Sequence, residues 1–136
     1  MKKILGIITS LALLFSTSQV MAVSSSDKPT SGPGYLELSP PFVVNINDGD
    51  RLRFLQVAVQ FKLSDVKVSE KLLHHDSIIR HTMLILLSGQ EANDLYSATG
   101  KERLRKQALK EVLDALKAEV SEPLIEDMYF TNFIIQ

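Results

Sequence analysis

Residues able to bind a metal ion gather in one short span, where His74, His75 and His81, the chain's three histidines, lie with Asp76 beside them. A four-coordinate site needs ligands that converge on one point. Neighbours on a helix diverge by about 100°, so His74 and His75 point apart, and no His-x-x-x-His pair sets two imidazoles one turn from each other. The histidines read as solvated or capping side chains, and neither a metal nor another cofactor is expected. Glu126-Asp127 is the only adjacent acid pair. It stands at the entrance to a strand, where neighbours face opposite sides, so the two carboxylates cannot act together on one substrate. No serine sits in a Gly-x-Ser-x-Gly setting, and Gly89 and Gly100 form no phosphate loop. Cysteine is absent, which removes thiolate metal sites, cysteine nucleophiles and disulfides. The chain is expected not to be an enzyme.

A different chemistry is offered by Arg103, Lys106, Lys110 and Lys117. Their spacings of 3, 4 and 7 residues align them in one stripe on a helix, bordered by Glu111 and Asp114. One reading is a solvated face helped by (i, i+4) ion pairs. The sharper one makes the four cations a candidate interaction surface for an acidic partner or a neighbouring subunit.

The element around which the rest is arranged is Arg53 to Leu63. Leu55, Val57, Val59, Phe61 and Leu63 alternate with Gln56, Gln60 and Lys62, and a period of two is a pleated strand with one dry face. Before it, Leu36 and Leu38 flank Glu37, Pro40-Pro41 demands extended or edge geometry, and Phe42 to Val44 makes a short strand. Asp48-Gly49 supplies the turn of a hairpin that pairs the two strands antiparallel. Helical periodicity then begins, first over Val68 to His75, capped by Ser69 with Leu72 and Leu73 as its apolar side. A second helix is expected from about Ser77 to Leu87, with Asp76 or Ser77 as cap. Its run Met83-Leu84-Ile85-Leu86-Leu87 is apolar nearly all round, which predicts burial. Gln90 to Ala98 reads as a connection. The longest helix is expected from Gly100 to about Val120, with Thr99 and Glu102 as a capping box and Pro123 as its stop. Its apolar stripe, Leu104 to Val120, covers about half the wheel, as for a helix wedged between a sheet and a neighbour. Met128 to Gln136, aromatic and β-branched, is a third strand beside the organising one. The fold class is α+β, a small antiparallel sheet of about three strands packed against three helices.

With 136 residues of which 45% are hydrophobic, the chain makes one domain. Lys and Arg total 15 against 16 Asp and Glu, for a net charge of -1, which gives no general attraction to nucleic acid or an acidic membrane. Residues 1–22 have two early lysines, the apolar run Ile4 to Phe15 and small residues before a cut after Ala22, the layout of a signal peptide. The run is short against the roughly 20 apolar residues of a membrane span. Retention as an N-terminal anchor is the other reading. Residues 23–34 are rich in Ser, Pro and Gly and read as a flexible linker, which leaves residues 35–136 as the folded unit.

Four blocks, Pro41 to Asn45, Arg53 to Val57, Gly100 to Arg105 and Tyr129 to Gln136, together resemble the flagellar basal body-associated FliL family over about the last hundred residues. The resemblance implies a periplasmic α+β domain similar to those of the stomatin and prohibitin group. It also implies partners: copies of itself in a ring, and the ion-channel subunit of the flagellar stator just outside the membrane, with support of motility and no catalysis. Typical members are held in the inner membrane by an N-terminal helix, whereas residues 1–22 here look cleavable, as in a soluble paralogue. Membrane contact is expected only if that segment is retained. A second function class is a periplasmic ligand- or peptide-binding domain unrelated to the motor, which would take up an extended peptide at a sheet edge.

Overall fold

The computed structural model describes residues 32–122 and 124–136. The expectations for residues 1–22, for the linker up to residue 31 and for Pro123 as a helix stop lie outside the described residues.

Alternating apolar residues build the sheet as read. Strand β2, Arg51–Leu63, lies between β1, Gly34–Asp48, and β3, Ile125–Ile135, in the order β1-β2-β3 with both pairings antiparallel. Leu55, Val57, Val59, Phe61 and Leu63 are all fully buried. A two-residue loop joins Asp48 to Arg51, with Gly49 at φ 62°, the left-handed position that a tight hairpin turn reserves for glycine.

Strand β1 is longer than the short strand expected, because the prolines do not interrupt it. It is an edge strand, where a missing N–H costs no ladder bond. The register shifts between Leu38, opposite Val59, and Phe42, opposite Val57, so the Pro40-Pro41 pair is taken up as a bulge and both flanks keep Leu38 and Phe42 pointing into the core.

Four α-helices cover one face of the sheet. Helix α1 is Ser69–His74, entered through a 3-10 turn at Val66–Val68. Ser69 does not cap α1, which starts without a side-chain cap; Asp65 caps the 3-10 turn before it, its carboxylate accepting the Lys67 N–H at 2.8 Å, and this bond holds its pKa below the usual carboxylate value. Leu72 is buried, but Leu73 is exposed. Helix α2 is Asp76–Ser88. Asp76 does not cap it with its side chain; it pairs with Arg80 one turn on, at 3.1 Å. The connection contains a further short helix, α3, Ala92–Leu95, seated by buried Ala92 and Leu95.

Helix α4 is Ala98–Leu116. It starts before the Thr99 capping box because Ser97 takes the Gly100 N–H at 2.9 Å, while Glu102 is drawn off to Arg105. It ends before Val120, the chain turning through residues 117–119 with both Glu119 and Val120 N–H on the Leu116 carbonyl. Leu104, Ala108, Val112 and Leu116 are buried, one residue per turn, with Leu109 and Leu113 packed beside them. That broad stripe lets α4 pack on α2 and on β3 at once. The core lies between these helices and the sheet's inner face, where Leu38, Phe42, Val44 and Ile46 of β1 and Met128 of β3 complete the apolar layer.

Among the described residues no helix lies on the opposite face of the sheet. Cross-strand rows place Val43, Gln56 and Ile134 together there, and Asn45, Phe54 and Gln136 in the next row. Phe54 is 56% exposed.

Candidate interaction surface

Helix α4 brings the four predicted cations to one exposed stripe, as their spacing requires. Side-chain exposure is 63% for Arg103, 70% for Lys106, 76% for Lys110 and 75% for Lys117. Each stands by a carboxylate. Lys110 and Lys117 share Asp114, at 2.8 and 2.6 Å, and their hydrogen bonds hold its pKa down at about 2. Lys106 approaches Glu102, and Arg103 approaches Asp94, each at 3.8 Å. Between the cations, Leu109 and Leu113 floor a shallow groove lined also by Lys106, Lys110, Asp114 and Lys117. The surface is therefore amphipathic, and its cations at the Lys110–Lys117 end are already partly neutralised. Glu111 does not belong to that ion-pair set; it accepts from Gln107.

The groove runs into an apolar recess of about 290 Å³ past the end of α4, walled by Leu113, Leu116, Val120, Leu124 and Ile125 and rimmed by Lys117 and Glu122. A partner side chain of aliphatic size fits such a recess.

The acid pair is split, as strand geometry demands. Glu126 bonds Lys62 at 2.7 Å, while Asp127 bonds Arg105 at 2.6 Å. Arg105 is the most connected side chain of this region: it also meets both Glu102 oxygens at 2.7 Å and donates to the Met128 carbonyl at 2.7 Å. This guanidinium ties α4 to the start of β3. Burial works against ionisation of Asp127, but the Met128 N–H and Arg105 outweigh it and leave the carboxyl below its usual 3.8. Its contribution to stability is thus complete above that value and is lost as pH falls through the lower folded value. Melting temperature measured downward from about pH 5 should hold to about pH 4 and then drop. The drop should be shallower in Arg105→Ala, which has already lost the clamp, and identical acid profiles for the two proteins would refute it.

His74, at the end of α1, and His81, on α2, are exposed, and His75 sits between those helices. Among the described residues no three His, Asp or Glu side chains stand close enough to hold a metal ion.

A surface that the sequence reading placed in the core lies on α2. The run Met83 to Leu87 is not buried all round: Met83, Leu86 and Leu87 are buried, but Leu84 is 40% and Ile85 65% exposed. The helix packs on β1 and α4 through Ile79, Met83, Leu86 and Leu87, and a single apolar stripe of a 13-residue helix accommodates only part of such a run. The excess was the available signal, since apolar residues beyond what one face can bury have to meet water or a partner.

Among the described residues no helix is long and apolar enough to cross a membrane. The family model for flagellar basal body-associated protein FliL matches residues 35–136, from the second residue of β1 to Gln136, one residue past β3. The flagellar protein FliL of Aquifex aeolicus (strain VF5) is 26% identical over 100 residues, which cover 74% of this chain and 60% of that relative's own length. The span that the family model matches contains the α4 start, with Gly100 and Arg105, and the strand β3. The family is one of flagellar accessory proteins of the cell envelope and not a known enzyme family. By its sequence from β1 through β3, this chain belongs to the FliL family of flagellar basal body-associated proteins.

Proposed function

We propose that this protein is a non-enzymatic accessory of the flagellar motor, which assembles with copies of itself at the basal body, contacts the ion-channel subunit of the stator on the periplasmic side and supports motility. The observation that carries this reading is the family match across the folded unit. The surface supports it as well: apolar and charged side chains stand exposed on α2, on α4 and on the bare face of the sheet, which suits a body that works by contact. Residues 1–22 either deliver the domain as a cleaved signal or hold it in the inner membrane. The domain resembles the stomatin and prohibitin type on this reading. A ligand-binding protein unrelated to the motor is not favoured by the family match.

Deleting the coding region should impair swimming, most of all in viscous medium where load is high. Wild-type motor speed under load would reject the proposal. The α4 stripe is assigned the partner contact, and the double variant Lys106→Glu/Lys110→Glu tests that part alone. Exposed ion pairs contribute little to stability, so the variant should melt within about 3 °C of wild type while partner capture or swimming falls at least severalfold. Unaltered motility and assembly would leave Arg103, Lys106, Lys110 and Lys117 as a solvated face.

A further inference from the structure

The helix-free face of the sheet is a strip of aromatic and amide side chains laid along β2. At one end Lys62 is tied to Glu126 at 2.7 Å, and beside it the rings of Tyr35 on β1 and Tyr129 on β3 meet at 6.4 Å, tilted by 45°. Tyr35 lies opposite Lys62 and Tyr129 opposite Gln60, so the two rings lean over the central strand from both sides. At the other end Phe54 stands between Asn45 and Gln136. The strand from Gln60 to Phe54 makes the strip about 20 Å long.

Two properties of the strip select what it binds. The first is its amides. Asn45, Gln56, Gln60, Asn132 and Gln136 share this face, and none of these side chains makes a hydrogen bond to a described residue. Each offers one acceptor and two donors. The second is charge. Between the Lys62–Glu126 pair and Phe54 the one charged side chain on the face is Glu37, opposite Gln60, and it has no ion-pair partner among the described residues. A polymer bearing phosphates or carboxylates meets an anion there and no free cation, so charge complementarity excludes it. A basic segment finds a single exposed carboxylate, which holds it weakly.

A neutral sugar chain carries the matching groups. The C–H face of a pyranose ring is apolar and covers an aromatic ring, and Tyr35 and Phe54 are 60% and 56% exposed at the two ends. Sugar hydroxyls pair with carboxamides and with a free carboxylate such as Glu37. An acetamido group, with one N–H and one C=O, is the complement of a side-chain amide. Ala58, the smallest outward side chain of β2, lies low between Gln56 and Gln60 and leaves room for an acetamido methyl. We propose that this face of the sheet binds a neutral polysaccharide of N-acetylated amino sugars, laid along β2 from the Tyr35–Tyr129 pair to Phe54. The site is independent of the motor assignment.

The probe is the soluble hexamer of N-acetylglucosamine, titrated into the isotope-labelled protein and followed by NMR. The side-chain amide signals of Gln56, Gln60 and Asn132 should shift and saturate, while signals of α2 and α4 stay in place. Tyr35→Ala and Phe54→Ala should each weaken binding at least ~fivefold through lost ring contact. Both rings are mostly exposed, so each variant should melt within about 3 °C of wild type. A hexamer of unsubstituted glucose should bind at least ~fivefold more weakly, for want of acetamido partners. Equal affinity for the two hexamers overturns the amino-sugar assignment. Absence of any saturable shift, shifts confined to α2 or α4, or an affinity that neither variant changes overturns the platform itself. If the hexamer moves nothing while the same two variants slow swimming, the face belongs to a protein partner, and this inference fails while the motor reading stands. Hexamer binding in a protein whose deletion leaves motor speed unchanged removes the motor reading and keeps this one.

Discussion

Phe61→Ala is expected to leave this domain barely folded at 37 °C. Phe61 is wholly buried in the last third of the central strand, facing Leu36 on β1 and Met128 on β3, so the truncation opens a cavity that neither neighbouring strand can close without giving up its register. Such substitutions cost about 3–5 kcal/mol. A domain of this size has only about 5–15 kcal/mol in total, so the melting temperature should fall by roughly 15–30 °C. The sheet-forming pattern survives the change, and the loss should therefore appear as lower denaturant midpoint at nearly constant slope. A fall under about 5 °C would mean that Phe61 is not at the centre of the core.

The second large effect is one of sign. Gly100 is the third residue of α4, and by intrinsic propensity alone alanine there should stabilise the helix by about 1 kcal/mol. The expected result is the reverse. A Cβ at Gly100 would run into the backbone carbonyl of Asp94 and come within 3.1 Å of the Ser97 Oγ, the atom that caps the helix. Since Asp94 belongs to α3, the added methyl must push α3 off α4 or break the cap. Overpacking against fixed backbone costs about 1–3 kcal/mol, so Gly100→Ala should lower the melting temperature by roughly 4–15 °C. Gly100→Val should lower it further, and a rise for Gly100→Ala would show that α3 does not sit on the helix start. Because this glycine lies in one of the blocks by which the chain resembles its family, close helix packing is a physical reason for a residue that looks like a mere helix opener.

Both cases mark how far the residues by themselves lead. Alternation over Leu55 to Leu63 was enough to give the central strand, its buried face and the need for two partners, because strand period is local and a buried face tolerates no slip. The Asp48-Gly49 turn and the β-branched run at the end of the chain supplied those partners. Spacing alone also placed Arg103, Lys106, Lys110 and Lys117 on one exposed stripe, since helix angles follow from sequence separation.

Competing neighbours decided the rest. Which capping residue is used, Ser97 over Thr99 on α4 and Asp65 on the 3-10 turn while α1 goes without a side-chain cap, depends on where the chain arrives from, and Glu102 went to Arg105 because β3 brings Asp127 and the Met128 carbonyl to the same guanidinium. Exposure of Leu84 and Ile85 depends on which side of α2 packs on β1 and α4, which no apolar run can announce. The sequence by itself determined the periodic elements and their wet and dry sides, since those are short-range properties of the chain. Only the tertiary structure decided which caps, ion pairs, apolar residues and strand edges were taken and which were left for a partner, because these are settled by contacts between residues far apart in the chain.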